Sequence, residues 1–165
     1  MQVVQFLITT DGIHIGHKTG TNGKTSISYM VRAIAEKAGV SCGVIGTSGI
    51  YLNREKLEIP ILTATTPDPI ELQYALSVMR EKGAQWVIME VTAHALDLRK
   101  VKEITFASAG FTNLTQDHLD YFGTMENYGA AKKKLFAKET GSRESLAKET
   151  GRQMENAFRF IESAE

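Results

Sequence analysis

The run Thr19-Gly20-Thr21-Asn22-Gly23-Lys24-Thr25-Ser26 decides how this chain is read. It sets two glycines, a lysine and hydroxyl residues in the order a phosphate-binding loop requires. Such a loop turns successive backbone N–H groups inward around a polyphosphate, and glycine lets the backbone come that close. Residues 20–25 are therefore candidates to wrap a polyphosphate. Lys24 supplies a point charge, and the Thr25 hydroxyl suits a Mg²⁺ that bridges the phosphates. A helical pattern follows, with Ile27, Val31, Ile34 and Ala38 on one apolar face and Gly39 at the C-terminal cap. Its N-terminus points at the phosphates and adds its dipole. Lys18 stands where the general pattern has its first glycine, so the competing reading is a Gly-rich turn before an amphipathic helix.

Outward from this run, strand and helix patterns alternate. Residues 3–8 form a short apolar run, followed by a turn signal at Asp11-Gly12. Residues 41–47 read as a buried strand, and 57–62 as a weaker one whose Pro60 favours an edge or irregular position. Asp68, Pro69 and Glu71 announce a capped helix with an apolar stripe of Leu72, Ala75, Leu76 and Met79, ended by Gly83. Residues 85–91 are apolar on both faces until Glu90, residues 105–112 form a small-residue strand, and a helix is expected from Met125 to Phe136. Double-sided strands alternating with helices predict an α/β fold of P-loop type, a mostly parallel sheet covered on both faces. Ligands in such sheets sit beyond the carboxyl ends of the strands. Residues 20–25, Glu90 and residues 112–120 then share one rim.

Composition narrows the function classes. Acidic and basic residues balance at 19 each in 165 residues, which argues against a nucleic-acid footprint or attraction to an anionic membrane. No apolar run approaches the ~18 residues that span a bilayer. Gln2, Gln5, Asp11 and His14 break up any secretory signal, and the single Cys42 lies in an apolar run as a reduced core residue. These features predict a cytoplasmic protein of one domain.

Glu90 is a charge at the end of a strand that otherwise reads as core. A buried carboxylate needs a cation, and Mg²⁺ is suitable; the alternative is a strand-end Glu facing water. Asn113, Asp117, His118 and Asp120 crowd the loop after the 105–112 strand. His94 divides evenly between site and packing, while His14 and His17 have no supporting context. Lys132, Lys133 and Lys134 read as a solvated face, and pattern alone prefers none of them.

Four stretches carry a resemblance: TGTNGKT at 19–25, TTPDP at 65–69, MEVTAHAL at 89–96, and FTNLTQDHLDYFGTMENYGAAKKKLF at 111–136. In order and spacing they resemble the central ATP-binding domain of the Mur ligases. The likeness falls on the branch that adds a diamino acid to UDP-N-acetylmuramoyl-L-alanyl-D-glutamate (a UDP-MurNAc-dipeptide) in peptidoglycan synthesis. It implies an ATP- and Mg²⁺-dependent amide ligase working through an acyl phosphate. It also implies roles: Gly20, Thr21, Asn22, Gly23, Lys24, Thr25 and Ser26 around the ATP phosphates, Lys24, Glu90, His118 and Lys132 in catalysis, and Thr25, Glu90, His118 and a carbamylated Lys132 as metal ligands. Thr65, Thr66, Thr92 and Lys100 match positions that contact the UDP-sugar dipeptide.

The chain departs from that pattern in places. His17-Lys18 replaces a Gly-apolar pair, so the strand feeding the loop is poorly defined; Ala64 stands for Asn, Ala93 for Ser and Lys100 for Arg. Lysine keeps the charge without the bidentate fork. None of the family's flanking domains is visible in this sequence, and the expectation is an incomplete sheet that favours self-association. The expected division is a ligase-like domain over 1–136 and a charged helical tail over 137–165. In the tail AKETG at 137–141 recurs at 147–151, and Met154, Ala157, Phe158 and Ile161 form an apolar stripe. Three other readings compete with the ligase: an ATP- or muropeptide-binding module without turnover, another amide ligase of the superfamily, and a vestigial domain whose tail serves interactions.

Overall fold

The computed structural model describes residues 14–63 and 65–134. The apolar run at 3–8, the turn at Asp11-Gly12, the boundary at 136, the tail and its repeat lie outside the described residues.

The described chain is α/β. Six strands lie in the order β4-β3-β2-β5-β1-β6, with β1 His14–Thr19, β2 Cys42–Gly46, β3 Gly49–Leu52, β4 Glu55–Lys56, β5 Trp86–Glu90 and β6 Ser108–Phe111. The four strands β2, β5, β1 and β6 run parallel, and β3 and β4 fold back antiparallel at one edge. The helices are α1 Lys24–Lys37, α2 Pro69–Glu81, α3 Ala93–Asp97, α4 Leu119–Phe122 and α5 Met125–Lys133. The expected reach of the last helix to Phe136 falls outside the described residues.

Period-two alternation feeds two cores, one on each face of the sheet. Cys42, Val44 and Ile88 point to one face and meet Val31 and Ala35 of α1. Ile45, Val87 and Met89 point to the other and meet Leu72, Ala75, Leu76 and Met79 of α2, the stripe expected from sequence. Glu71 closes the α2 start by accepting the Asp68 N–H through Oε2 at 3.0 Å. A third cluster of Ala93, Leu114, Phe122, Tyr128 and Ala131 anchors α4 and α5.

Several expectations are corrected. The buried face of α1 is Ser28, Val31 and Ala35, whereas Ile34 is 67% exposed and Met30 61%. Small residues let the helix approach the strands closely, so size rather than hydropathy chose the face. Ser28 is fully buried with no hydrogen-bond partner for its hydroxyl. Ser28→Ala is expected to stabilise the chain by about 1 kcal/mol, from the lost desolvation penalty and the better helix former. Urea denaturation midpoints would check this.

Residues 57–62 form no strand; Leu57 is buried against the core, and its N–H donates to the Ile50 carbonyl of β3 at 2.9 Å. The antiparallel hairpin β3–β4 was not anticipated. Its two-residue turn places Asn53 at φ +52°, and the Asn53 side chain accepts the Cys42 N–H at 2.8 Å. The strand feeding the glycine loop is well formed, paired with β5 from His14 opposite Trp86 to Lys18 opposite Glu90, and with β6 from Gly16 opposite Ser108 to Thr19 opposite Phe111. That parallel register brings the loop, Glu90 and the segment after Phe111 to one edge.

Candidate functional site

The loop at the end of β1 is stitched to the segment after β6. The Thr21 N–H donates to the Asn113 carbonyl at 3.1 Å, and the Asn22 N–H to Asn113 Oδ1 at 3.0 Å. Thr112 Oγ1 donates to the Asn22 carbonyl at 2.7 Å. Thr21 Oγ1 donates to the Thr115 carbonyl and accepts the Thr115 N–H, both at 3.0 Å. Gly20 is required by this approach: at φ +153°, an added Cβ would collide with Thr112 Oγ1 and crowd the Asn113 nitrogen at 3.1 Å. Gly23, at φ +81°, starts α1. The first-turn N–H groups at Lys24, Thr25 and Ser26 have no intrahelical acceptor and offer themselves to an anion. Lys24 Nζ meanwhile donates to the Gly20 and Thr21 carbonyls at 2.9 Å each. Burial lowers the Lys24 pKa, while the charges of Glu90 and Asp117 pull it back up.

Glu90 is 0% exposed. Its Oε2 accepts a 3.3 Å hydrogen bond from Thr47, and its Oε1 has no partner. The residue opposite must be glycine, because a Cβ at Gly46 would overlap Oε1. An anionic oxygen withheld from water and left without a donor suits a cation. Among the described residues no three His, Cys, Asp or Glu side chains converge as a metal-binding group. Mg²⁺ binds through one or two protein oxygens and completes its shell with phosphate and water. The unpartnered Oε1 of Glu90 is an oxygen of that kind.

The residues matched to substrate contacts lie beside Glu90. Thr66 is buried and its hydroxyl is spent inside the protein, donating to the Glu90 carbonyl at 3.0 Å and accepting the Thr92 N–H at 3.1 Å. Thr92 caps α3 by accepting the Ala95 N–H at 3.1 Å. Thr65 sits in the left-handed region at φ +68°, costly for a β-branched residue, and its hydroxyl lies 2.9 Å from that of Thr47. Lys100 reaches the same loop, its Nζ 2.6 Å from Asp68 Oδ1. Sequence reasoning passed over Thr47 and Gly46, because a turn threonine and a strand glycine carry no signal until β5 is set beside β2.

Lys132 departs from the solvated-face reading. It is 2% exposed, with Nζ 4.4 Å from the centre of the Tyr128 ring, while Lys133 and Lys134 are exposed. Burial, reinforced by the charge of Lys24, pushes its pKa down to about 7, with Asp117 pulling the other way. His118, at φ +54°, sets its Nε2 3.5 Å from Asp117 Oδ2. His94 packs edge-on against it, ring centres 4.9 Å apart, and lies 4.3 Å from the Tyr121 ring. So His94 is a packing partner of a candidate site residue.

A lysine depressed from 10.5 to about 7 takes up fewer protons folded than unfolded between those values. Stability therefore rises with pH across that window, and the penalty is fully present below pH 7. Lys132→Met is expected to raise stability at pH 7 and to lose that advantage by pH 10.5. Urea midpoints of both chains across the window measure it.

No helix among the described residues is long and apolar enough to cross a membrane. The chain is 45% identical over 125 residues to the UDP-N-acetylmuramoyl-L-alanyl-D-glutamate–2,6-diaminopimelate ligase of Ectopseudomonas mendocina, covering 76% of this chain and 25% of that one. It is 43% identical over 127 residues to the ligase of the same name from Geobacter sulfurreducens, covering 77% and 24%. A solved structure of a ligase of that name superposes with a TM-score of 0.68 at 33% identity, covering 76% of this chain and 25% of the other. The chain thus spans about a quarter of the length of the relatives it matches. Residues 19–147 match the Mur ligase middle domain, and the chain belongs to the Mur ligase family.

Proposed function

We propose that this chain is the ATP-binding portion of an ATP-dependent amide ligase that joins a diamino acid to UDP-MurNAc-L-Ala-D-Glu. The observation that carries the reading is the fully buried Glu90, with one oxygen unpartnered, on the same rim as the glycine loop. Relatives whose printed names specify diaminopimelate support that diamino acid as the incoming amine.

In this reading Gly20, Thr21, Asn22, Gly23, Lys24, Thr25 and Ser26 hold the phosphates, and Thr25 and Glu90 hold Mg²⁺. When bound, the metal supplies charge neutralisation on the transferring phosphoryl group. The substrate carboxylate attacks the γ-phosphorus and ADP leaves, giving an acyl phosphate. The incoming amine then adds to the carbonyl carbon, loses a proton and expels phosphate. Lys24 stabilises charge on the phosphates. Thr65, Thr92 and Lys100 orient the acceptor, and Thr66 holds their loop against Glu90. His118 and Lys132 serve a second metal position. A Lys132 amine titrating near 7 is substantially neutral at cytoplasmic pH, the form that captures CO₂ to become an anionic carbamate ligand. The same reading assigns the chain to the cytoplasm and includes self-association along the outer edge of β6.

A second reading, a module that binds ATP without turnover, shares the same phosphate site. Calorimetric titration with a non-hydrolysable ATP analogue and Mg²⁺ tests the shared premise. Saturable binding is expected, and Lys24→Ala should weaken it about a hundredfold, ~2.7 kcal/mol. No binding by the folded wild type would sink both readings.

A further inference from the structure

Two hydroxyls run from the surface loop to the buried carboxylate. Thr47 Oγ1 donates to Glu90 Oε2 at 3.3 Å and lies 2.9 Å from Thr65 Oγ1. A carboxylate only accepts, and a threonine hydroxyl has one proton. Thr47 must therefore spend its proton on Glu90, and the Thr65 hydroxyl must donate to Thr47. Directionality is thereby fixed: Thr65 O–H to Thr47, Thr47 O–H to Glu90. Thr65 then has only lone pairs left to show the outside. The adjacent Thr66 grips the same residue by its backbone, donating to the Glu90 carbonyl at 3.0 Å. Gly46 leaves Oε1 just enough room on the other side. Glu90 is thus held by its main chain, one carboxylate oxygen and a glycine wall, with a single oxygen left free.

We infer that Thr47 is a positioning residue coupling the loop of Thr65 and Thr66 to the metal-facing oxygen of Glu90. The coupling rests on the Mg·ATP site proposed above and adds two consequences. A group docking on the Thr65 hydroxyl must bring a hydrogen-bond donor, because that hydroxyl has no proton to give. Docking there polarises the relay toward Glu90, so acceptor and metal bind with mutual effect, each shifting the other's affinity by the same factor.

The test uses the full 165-residue chain and a hydroxyl-deletion cycle: Thr47→Val, Thr65→Val and the double variant, with Thr47→Ser as rescue. The first readout is the side-chain carboxyl ¹³C resonance of Glu90 in the metal-free protein. Thr65→Val should shift it when Thr47 is present and leave it unmoved in the Thr47→Val background. The second is Mn²⁺ affinity in the presence of a non-hydrolysable ATP analogue, followed by electron paramagnetic resonance. Thr47→Val should weaken Mn²⁺ about tenfold, as loss of an outer-shell partner commonly does, and Thr47→Ser should stay within about twofold of wild type. Thermal melting confirms that each variant folds. Equal carboxyl shifts from Thr65→Val in both backgrounds would overturn the coupling. So would Mn²⁺ binding by Thr47→Val as tight as wild type. A wild-type chain that binds no Mn²⁺ would count against the proposed site instead, while the carboxyl shifts would still decide the coupling.

Discussion

Glu90→Gln is expected to stabilise the ligand-free chain by about 1–2 kcal/mol while costing at least about a hundredfold in Mg²⁺-dependent nucleotide affinity. The opposite signs follow from one geometry. The carboxylate is cut off from water, one of its oxygens has no donor, and the other has only the 3.3 Å bond from Thr47. Lys24 feels its charge but spends its own N–H groups on the Gly20 and Thr21 carbonyls. The glutamine keeps the shape, removes the buried charge and loses the anionic oxygen that a cation needs. Glu90 is fully buried and makes no direct ion pair with Lys24, whose Nζ is held by the Gly20 and Thr21 carbonyls, so little attraction is lost with the charge. Urea denaturation without nucleotide and thermal shift with Mg²⁺ and the ATP analogue separate the two effects. A less stable ligand-free variant would show that the protein already compensates the charge.

Gly20→Ala is expected to cost about 2–4 kcal/mol and to abolish nucleotide binding. Its Cβ has nowhere to go: Thr112 Oγ1 is in the way, and that oxygen is held by its 2.7 Å bond to the Asn22 carbonyl. Relief requires separating the loop from the segment after β6, which breaks the bonds that shape the loop. Gly39→Ala is the control. Its φ of +75° is also left-handed, but nothing lies within 4 Å of an added Cβ. It should cost only about 1 kcal/mol and leave binding intact. Similar binding losses in both variants would mean backbone strain, not the collision, is responsible.

The parts legible in sequence were those where one local pattern and one burial demand agree. The stripe Leu72, Ala75, Leu76 and Met79 with its capping Glu71, the all-buried β2, β5 buried from Val87 to Glu90, and the loop before α1 are of this kind. The β3–β4 hairpin was hidden because its four-residue strand alternates half-buried and buried, and the apolar residues at 57–62 looked more strand-like than they are. On α1, hydropathy pointed at Ile34, whereas close packing on the sheet selected Ser28 and Ala35. At the site, Glu90 could be suspected from its place at a strand end. Its glycine wall and its threonine partner could not, since both come from β2 and the turn after it and meet Glu90 only through sheet register. Lys132 was separable from its neighbours by resemblance but not by pattern, because one turn of a short helix offers three lysines and only packing buries one.

The placement of β1 between β5 and β6 bears on how the molecule comes into being. The hairpin of β2, β3 and β4 closes through contacts nearby in the chain and can form early. The glycine loop cannot: Thr21 and Asn22 take their shape from Thr112, Asn113 and Thr115, partners 90 to 94 residues downstream. Its geometry cannot be completed before β5 and β6 have closed around β1. During synthesis, ATP thus finds no formed cradle until the ribosome has released the chain beyond Thr115.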